Sequence, residues 1–108
     1  MPLEIVWTVG AERDLLGHHQ RIFNSLNEDD DLISTVLEKP LKSSLQLLRD
    51  HPEIAPRVRR APRIRRRLLG PGSRYGLFYT VETRGIIIHA LLDLRQDPQM
   101  IRKRLREI

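Results

Sequence analysis

The stretch YGLFYTVETRGIIIHALLD, residues 75–93, decides the fold of this 108-residue chain. Residues 75–82 are rich in aromatic and β-branched side chains, which favour a strand. Residues 83–85 provide a tight connection, and the almost continuous apolar run at 86–92 is typical of a central strand that is covered on both faces. A buried helix can show the same run, so the pattern alone leaves that alternative open. The stretch predicts a β-hairpin near the centre of a sheet.

The N-terminal part of the chain predicts one short strand and one amphipathic helix. Leu3, Ile5 and Trp7 alternate with the residues between them, which is the period of a strand. A helix is predicted over 11–26, because apolar residues and one histidine recur there at helical spacing. The predicted stripe consists of Leu15, His19, Ile22 and Leu26.

A second helical segment follows, and its sequence predicts an interruption. The acidic residues 28–31 come after a turn and favour a helix start, where they face the positive end of the helix dipole. Pro40 should break or kink the segment, because proline lacks an N–H and restricts the residue before it. Residues 51–56 are predicted to form a loop. The apolar face of this segment consists of Ile33, Val36, Leu37, Leu41, Leu45 and Leu48.

A basic strand is predicted over 63–69, ahead of a turn at 70–73. Ile64 and Leu68 should face inward, because alternate residues of a strand lie on the same face. The opposite face would then carry three arginines: Arg63, Arg65 and Arg67.

The C-terminal residues predict a helix that begins at Asp97, with Pro98 in its first position. Ile101, Leu105 and Ile108 form its apolar stripe. The predicted order is β-α-α-β-β-β-α, which indicates an α+β domain over residues 1–108. Its helical pair should cover one face of a mostly antiparallel sheet, with the C-terminal helix added at the end.

Charge is distributed unevenly along the chain. The formal net charge is +5 and the sequence pI is about 10.4. Residues 1–56 contain 5 Lys/Arg and 10 Asp/Glu, whereas residues 57–108 contain 14 and 4, so the two halves carry −5 and +10. This asymmetry indicates a surface for an acidic partner, either nucleic acid or protein. A solvated basic face is the alternative interpretation.

The composition and motifs exclude several kinds of site. The chain has no cysteine, which excludes disulfides, a thiolate zinc site and a cysteine nucleophile. It contains no P-loop, dinucleotide fingerprint or metal-binding set, so we expect neither cofactor nor metal. No apolar run is long enough to span a bilayer, and the first residues lack the pattern of a signal peptide. We therefore expect a soluble, cytoplasmic protein.

Three segments together resemble the RelE/ParE superfamily, the toxins of type II toxin–antitoxin modules. Residues 66–69 (RRLL) and 74–81 (RYGLFYTV) resemble the family's basic strand and its aromatic strand. Residues 86–98, from the isoleucine run to LRQDP, resemble its last strand and the basic segment after it. These segments and the helices follow the family's order over nearly the whole chain.

The chain departs from the family pattern at three places. Gly76 stands where the family often has arginine, and Gln96 stands where a second arginine is common. Asp93 and Leu94 replace a usual His-Gly pair. No Tyr or His follows Arg95, so the terminal acid/base of the family's nuclease branch is missing or rearranged.

The resemblance implies a toxin that a cognate antitoxin protein holds inactive in a hetero-oligomer. The missing acid/base and the retained C-terminal helix favour the ParE-like branch, which poisons DNA gyrase and is not an enzyme. One alternative is a RelE-like, metal-independent endonuclease that acts on mRNA at the ribosome. A third possibility is an inactive descendant that only binds a partner.

Arginines are the predicted binding residues, because the guanidinium pairs bidentately with phosphate or carboxylate. They cluster at 57–67 and recur in the later segments that carry the resemblance. The residues selected for contact with a target or nucleic acid are Arg63, Arg65, Arg67, Arg74 and Arg95.

The nuclease alternative needs a proton acceptor and a proton donor. His89 is a candidate, although its place within an apolar run also suits a buried, hydrogen-bonded histidine. The adjacent His18 and His19 point in different directions on a helix and are expected to be structural. The complete set of catalytic candidates is His89, Asp93, Arg95 and Tyr79.

Overall fold

A computed structural model describes residues 3–25 and 33–108. The predicted turn at 27, the acidic helix start at 28–31 and the last stripe residue, Leu26, lie outside the described residues. No helix in the described ranges is long and apolar enough to cross a membrane. The elements are β1 (Glu4–Trp7), α1 (Val9–Ser25), a π-helical segment (Ser34–Glu38), α2 (Lys39–Asp50), β2 (Arg57–Val58), β3 (Ala61–Leu69), a 3₁₀ turn (Pro71–Ser73), β4 (Tyr75–Glu82), β5 (Gly85–Asp93) and α3 (Pro98–Arg106).

The five strands of the described residues form one sheet in the order β1-β5-β4-β3-β2. β1 runs parallel to β5, and the other neighbouring strands are antiparallel. The predicted hairpin is the inner pair, in which Tyr75 pairs with Asp93 and Glu82 with Gly85. The predicted α+β class with a mostly antiparallel sheet is confirmed. The sequence does not predict β2, because two residues are too few to show a period.

The helical pair packs on one face of the sheet, which we call the helical face. Leu37 of the π-helical segment and Leu48 of α2 are completely buried there. They belong to the same apolar cluster as Leu77 of β4 and Ile88 of β5. Each such side chain contributes about 1.5–3 kcal/mol when it is removed from water. The larger of the two apolar clusters therefore lies between the helical pair and the sheet.

The buried side of α1 differs from the prediction at the histidine. His18 is 3% exposed, and its ring lies 5.1 Å from the ring of Tyr75. His19 is exposed, and its Nε2 lies 3.4 Å from Glu38. The predicted place of His19 on the stripe is therefore wrong, whereas Leu15 and Ile22 lie on it as predicted. The observed stripe is Ala11, Leu15, His18 and Ile22.

Side chains of α1 also cover the main-chain edge of β5 beyond the end of β1. β1 pairs with β5 only as far as Ile88. Farther along, the Leu91 N–H donates to Asp14 at 3.0 Å, and Nε2 of His18 donates to the Leu91 carbonyl. Nδ1 of His18 accepts from Arg21 at 2.8 Å, which fixes the neutral ring with its proton on Nε2. Both ring nitrogens of the buried His18 therefore have hydrogen-bond partners.

The second helical segment changes its hydrogen-bonding pattern beside Pro40, where a break or kink is predicted. Residues Ser34–Glu38 form a π-helical segment, and the Lys39 N–H donates to the Ser34 carbonyl. The α-helical pattern of α2 begins at Lys39, with Pro40 in its first turn. Proline is tolerated best in the first turn of a helix, where its missing N–H removes the fewest hydrogen bonds. The segment is therefore divided into a π-helical and an α-helical piece, but the predicted break is absent, because the helical backbone continues through Glu38 and Lys39.

β3 agrees with the prediction at Ile64 and differs at Leu68. Ile64 is 1% exposed, whereas Leu68 is 39% exposed, so the inward placement of Leu68 is wrong. Leu68 pairs with Gly76 and lies outside the apolar cluster that α3 covers. Its neighbour Leu69 is buried instead, on the helical face.

α3 packs on the opposite face of the sheet, which we call the cleft face. Its start is as predicted, because Asp97 accepts from the Gln99 N–H at 2.9 Å and Pro98 occupies the first turn. Arg104 connects α3 to α1 through two 2.8 Å bonds to the Asp14 carboxylate. The predicted stripe of α3 packs against a small cluster of strand residues: Ile64, Phe78, Ala90 and Leu92.

Candidate anion-binding cleft

α3 leaves an open cleft of about 1010 Å³ between itself and the β2–β3 edge of the sheet. Ile64 and Phe78 are buried in its floor, and α3 contributes Ile101 and Leu105, both half-buried. The cleft therefore has an apolar floor. The other apolar lining residues are Pro56, Val58, Ala61, Leu94, Pro98 and Ile108.

Seven exposed arginines also line this cleft, which we call the arginine cleft. Arg102 and Arg106 stand one helical turn apart on α3. Among the residues that the structure describes, no Asp or Glu side chain lines the cleft and none forms an ion pair with these arginines. Their uncompensated charge attracts an anionic partner. The other five arginines come from the β2–β3 side: Arg57, Arg59, Arg60, Arg63 and Arg66.

His89 occupies a β-bulge, where the pairing of β5 with β4 skips one residue. The half-buried ring contacts Oγ1 of Thr80 through Nε2 at 2.9 Å, and Thr80 donates to Glu82 at 3.0 Å. Because the hydroxyl proton goes to Glu82, Nε2 of His89 is the donor to Thr80. Burial lowers the pKa of His89, and the charge of the cleft residue Arg63 lowers it further. The ring is therefore neutral near pH 7, and its Nδ1 can accept a proton.

Asp93 lies at the end of β5 in a cluster of ion pairs outside the arginine cleft. Its carboxylate lies 3.3 Å from Nε of Arg74 and 3.3 Å from Nη2 of Arg95. The Arg74 guanidinium also lies 5.0 Å from the centre of the Tyr75 ring. Burial raises the pKa of Asp93, but hydrogen bonds from Arg95 and the charge of Arg74 outweigh it and hold this pKa below its usual range. Asp93 is therefore ionised at neutral pH and cannot serve as a proton donor.

Tyr79, Arg65 and Arg67 belong to the helical face. Tyr79 is completely buried and donates its hydroxyl proton to the Pro52 carbonyl at 2.8 Å. Burial raises the pKa of Tyr79. Arg65 donates to two main-chain carbonyls of the loop at 51–56, at 2.9 Å each. Tyr79 and Arg65 therefore hold this loop against the sheet.

The structure divides the predicted binding residues among three places. Arg63 lines the arginine cleft, where its Nη2 also donates to the main-chain oxygen of Ile108, just after α3, at 2.7 Å. Arg65 and Arg67 lie on the helical face, and Arg74 and Arg95 pair with Asp93. The predicted catalytic candidates are separated in the same way, and His89 is the candidate whose pKa is lowered by a cleft arginine, Arg63.

Arg102 and Arg106 are cleft residues that the sequence analysis did not select. A signal for them exists in the sequence, because they flank the apolar positions Ile101 and Leu105 at a spacing of four residues. Side chains beside the stripe of an amphipathic helix border the surface on which the stripe packs. Thr80 was also missed, and no local pattern marks it as a partner of His89.

Comparison of the sequence with models of known protein families found no match, and comparison with curated proteins found none either. Within residues 3–25 and 33–108, no group of three His, Asp or Glu side chains is placed to hold a metal ion. The function is therefore inferred from the cleft and from the sequence resemblance.

Proposed function

We propose that this chain is the toxin component of a type II toxin–antitoxin module and acts by binding a protein target. The observation that carries the proposal is the arginine cleft, in which seven exposed arginines surround an apolar floor. Such a surface suits an acidic protein partner. The observed order of helices and strands is compatible with the resemblance to the RelE/ParE superfamily.

Within this superfamily, the dispersed catalytic candidates favour a ParE-like poison of DNA gyrase over a nuclease. Tyr79 is buried on the helical face, and its hydroxyl is bound to a main-chain carbonyl. Asp93 is held ionised by two arginines. A general acid and a general base must both reach the same substrate, and these residues do not surround one site. We further propose a cognate antitoxin as the resident partner and the cytoplasm as the location.

A RelE-like mRNA endonuclease is the second candidate, and the Glu82–Thr80–His89 hydrogen-bond chain favours it. Nδ1 of His89 would take the proton of the ribose 2′-hydroxyl, and Arg63 would neutralise charge on the phosphate. The loss of a general base typically lowers the rate about 10²–10⁴-fold. The third alternative, an inactive descendant that only binds a partner, requires the arginine cleft but no catalytic residues.

Expression of the chain by itself tests the proposal. We expect growth arrest, and we expect co-expression of the antitoxin encoded by a neighbouring gene to relieve it. With purified components, supercoiling by DNA gyrase should be blocked while mRNA in a translating extract stays intact. His89→Gln should leave the arrest largely unchanged if its melting temperature stays near that of the parent protein.

Three results would contradict the proposal in different ways. Normal growth at a high level of folded protein would leave only the inactive descendant. Ribosome-dependent mRNA cleavage that disappears in well-folded His89→Gln would establish the nuclease instead. Unaffected gyrase, together with growth arrest and intact mRNA, would require another target.

A further inference from the structure

We propose that the arginine cleft binds an amphipathic α-helix of a partner protein, with aliphatic side chains along one side and carboxylates on both flanks. This inference rests on the proposed use of the arginine cleft for binding a protein and deepens it, because it states the chemistry of the partner; its test measures binding and requires no growth arrest. It also differs from a partner that docks on the helical face, since the cleft lies on the opposite side of the sheet.

The apolar floor of the cleft indicates a protein partner. Ile101 and Leu105 are only half-buried between the arginines, so they still present apolar surface to an occupant. An aliphatic side chain of a peptide would remove this surface from water, which is favourable. A phosphate backbone has no apolar group to place there.

The lining is poorly suited to nucleic acid bases. Proteins that hold single strands without sequence preference stack the bases on exposed aromatic rings. Among the described residues of the lining, Phe78 is the one aromatic residue, and it is 1% exposed beneath the floor. A single strand would therefore gain only the contacts of its phosphates with the arginines.

The arrangement of charge indicates a helix more than an extended segment. Arginines stand on two opposite sides of the floor, with Arg102 and Arg106 on α3 and the others on the β2–β3 side. A helix can present an apolar stripe and, at the same time, acidic residues on both of its flanks. A strand turns successive side chains to opposite faces and so directs a single row into the cleft. The guanidinium also pairs bidentately with carboxylate, which suits Asp or Glu on the partner.

Fluorescence anisotropy with a labelled model peptide tests this inference. The probe is about 14 residues long, roughly four helical turns, with leucines at helical spacing and glutamates on both flanks. The first control has the same composition with the leucines dispersed around the helix, and the second is an oligothymidylate of equal net charge. At about 150 mM salt, where surface charges are screened beyond about 8 Å, the striped peptide should bind at least tenfold more tightly than either control.

Charge-reversal variants locate the binding. Arg102→Glu with Arg106→Glu should weaken binding of the striped peptide at least tenfold. Arg60→Glu with Arg66→Glu should do the same from the other side of the cleft without altering α3. The matched control is Arg49→Glu with Arg84→Glu, which makes the same change in net charge at exposed positions outside the cleft and should leave binding unchanged. Melting temperatures confirm that each variant is folded.

Four outcomes would overturn the inference, and the first is that the striped peptide does not bind. The dispersed peptide could bind as tightly as the striped one, the oligothymidylate could bind equally and displace the peptide, or the control variant could lose as much affinity as the cleft variants. Peptide binding without growth arrest would support the inference and contradict the toxin proposal. Growth arrest without peptide binding would contradict the inference and support the toxin proposal.

Discussion

The two faces of the sheet use the same residue type for different purposes. On the helical face, Arg65 donates to two main-chain carbonyls of the loop at 51–56 and thereby supports the fold. On the cleft face, its neighbour Arg66 is exposed and lines the arginine cleft. The first face is covered by α1 and by the π-helical segment that continues into α2, whereas one helix of nine residues covers the second. The role of an arginine here follows from its face and its cover, and not from its place in an arginine-rich segment.

The largest expected difference between the faces concerns apolar packing. Leu37→Ala should lower the free energy of unfolding by about 2–5 kcal/mol, because the side chain is completely buried on the helical face. Leu105→Ala on α3 should cost less than about 2 kcal/mol, since that side chain is half-buried. Urea denaturation followed by circular dichroism measures both. A larger cost for Leu105→Ala would mean that the cleft face carries the main core.

The next largest loss of stability is expected when Asp14, which connects α1 to Arg104 of α3, is replaced. Asp14→Ala should lower the free energy of unfolding by about 1.5–3 kcal/mol, because it removes the partner of Arg104 and of the Leu91 N–H. Asp14→Asn keeps a side-chain oxygen that can accept from Leu91, so its cost should be smaller. Denaturant unfolding of the two variants checks this order. Equal costs would show that the Leu91 hydrogen bond contributes nothing measurable.

The neighbours Arg65 and Arg66 form a matched pair, and a smaller change in the free energy of unfolding is expected from replacing them. Arg65→Ala should cost about 1–2 kcal/mol, because the carbonyls of Glu53 and Ala55 lose a charged donor. Arg66→Ala should change the free energy of unfolding by no more than about 0.5 kcal/mol, as is usual for an exposed side chain. Melting curves recorded side by side compare them. The distinction between the faces fails if the two variants are equally destabilised.

The smallest predicted effect is a pH dependence from His18. Burial lowers the pKa of His18 below 6.5, so the folded protein holds the ring neutral. The unfolded chain takes up this proton near pH 6.5. The contribution to stability is therefore complete above pH 6.5 and decreases as the pH falls from 6.5 toward the folded-state pKa. Denaturation midpoints at pH 7.5 and 5.5 should differ less in His18→Gln than in the parent protein, whereas His19→Gln should behave like the parent.

Local signals in the sequence were sufficient for much of the fold. The aromatic and β-branched run of β4, the apolar run of β5 and the Asp97–Pro98 start of α3 each predict their element without reference to the rest of the chain. Pro40 likewise marks the change of helical pattern, because its missing N–H acts at that position in any context.

The errors arose where the structure depends on distant partners. His18 and His19 are adjacent and chemically identical, and His18 is buried because the carbonyl of Leu91 lies beside it. Leu68 is exposed because α3 does not extend over it. The arginines of the cleft come partly from before β4 and partly from after β5 in the sequence. Neither the β3 segment nor α3 alone therefore reveals the cleft.

The hydrogen bonds between α1 and the main chain of Leu91 affect the order in which the chain folds during its synthesis. Asp14 finds its main-chain partner 77 residues later and its arginine partner 90 residues later, and the first strand pairs with the last. Contacts this distant in sequence form slowly, because a long loop must be closed before they contribute. The first helix leaves the ribosome well before the groups that complete it. Asp14 and His18 therefore lack these partners until Leu91 and Arg104 have been synthesised, so α1 cannot complete its buried hydrogen bonds before the last helix exists.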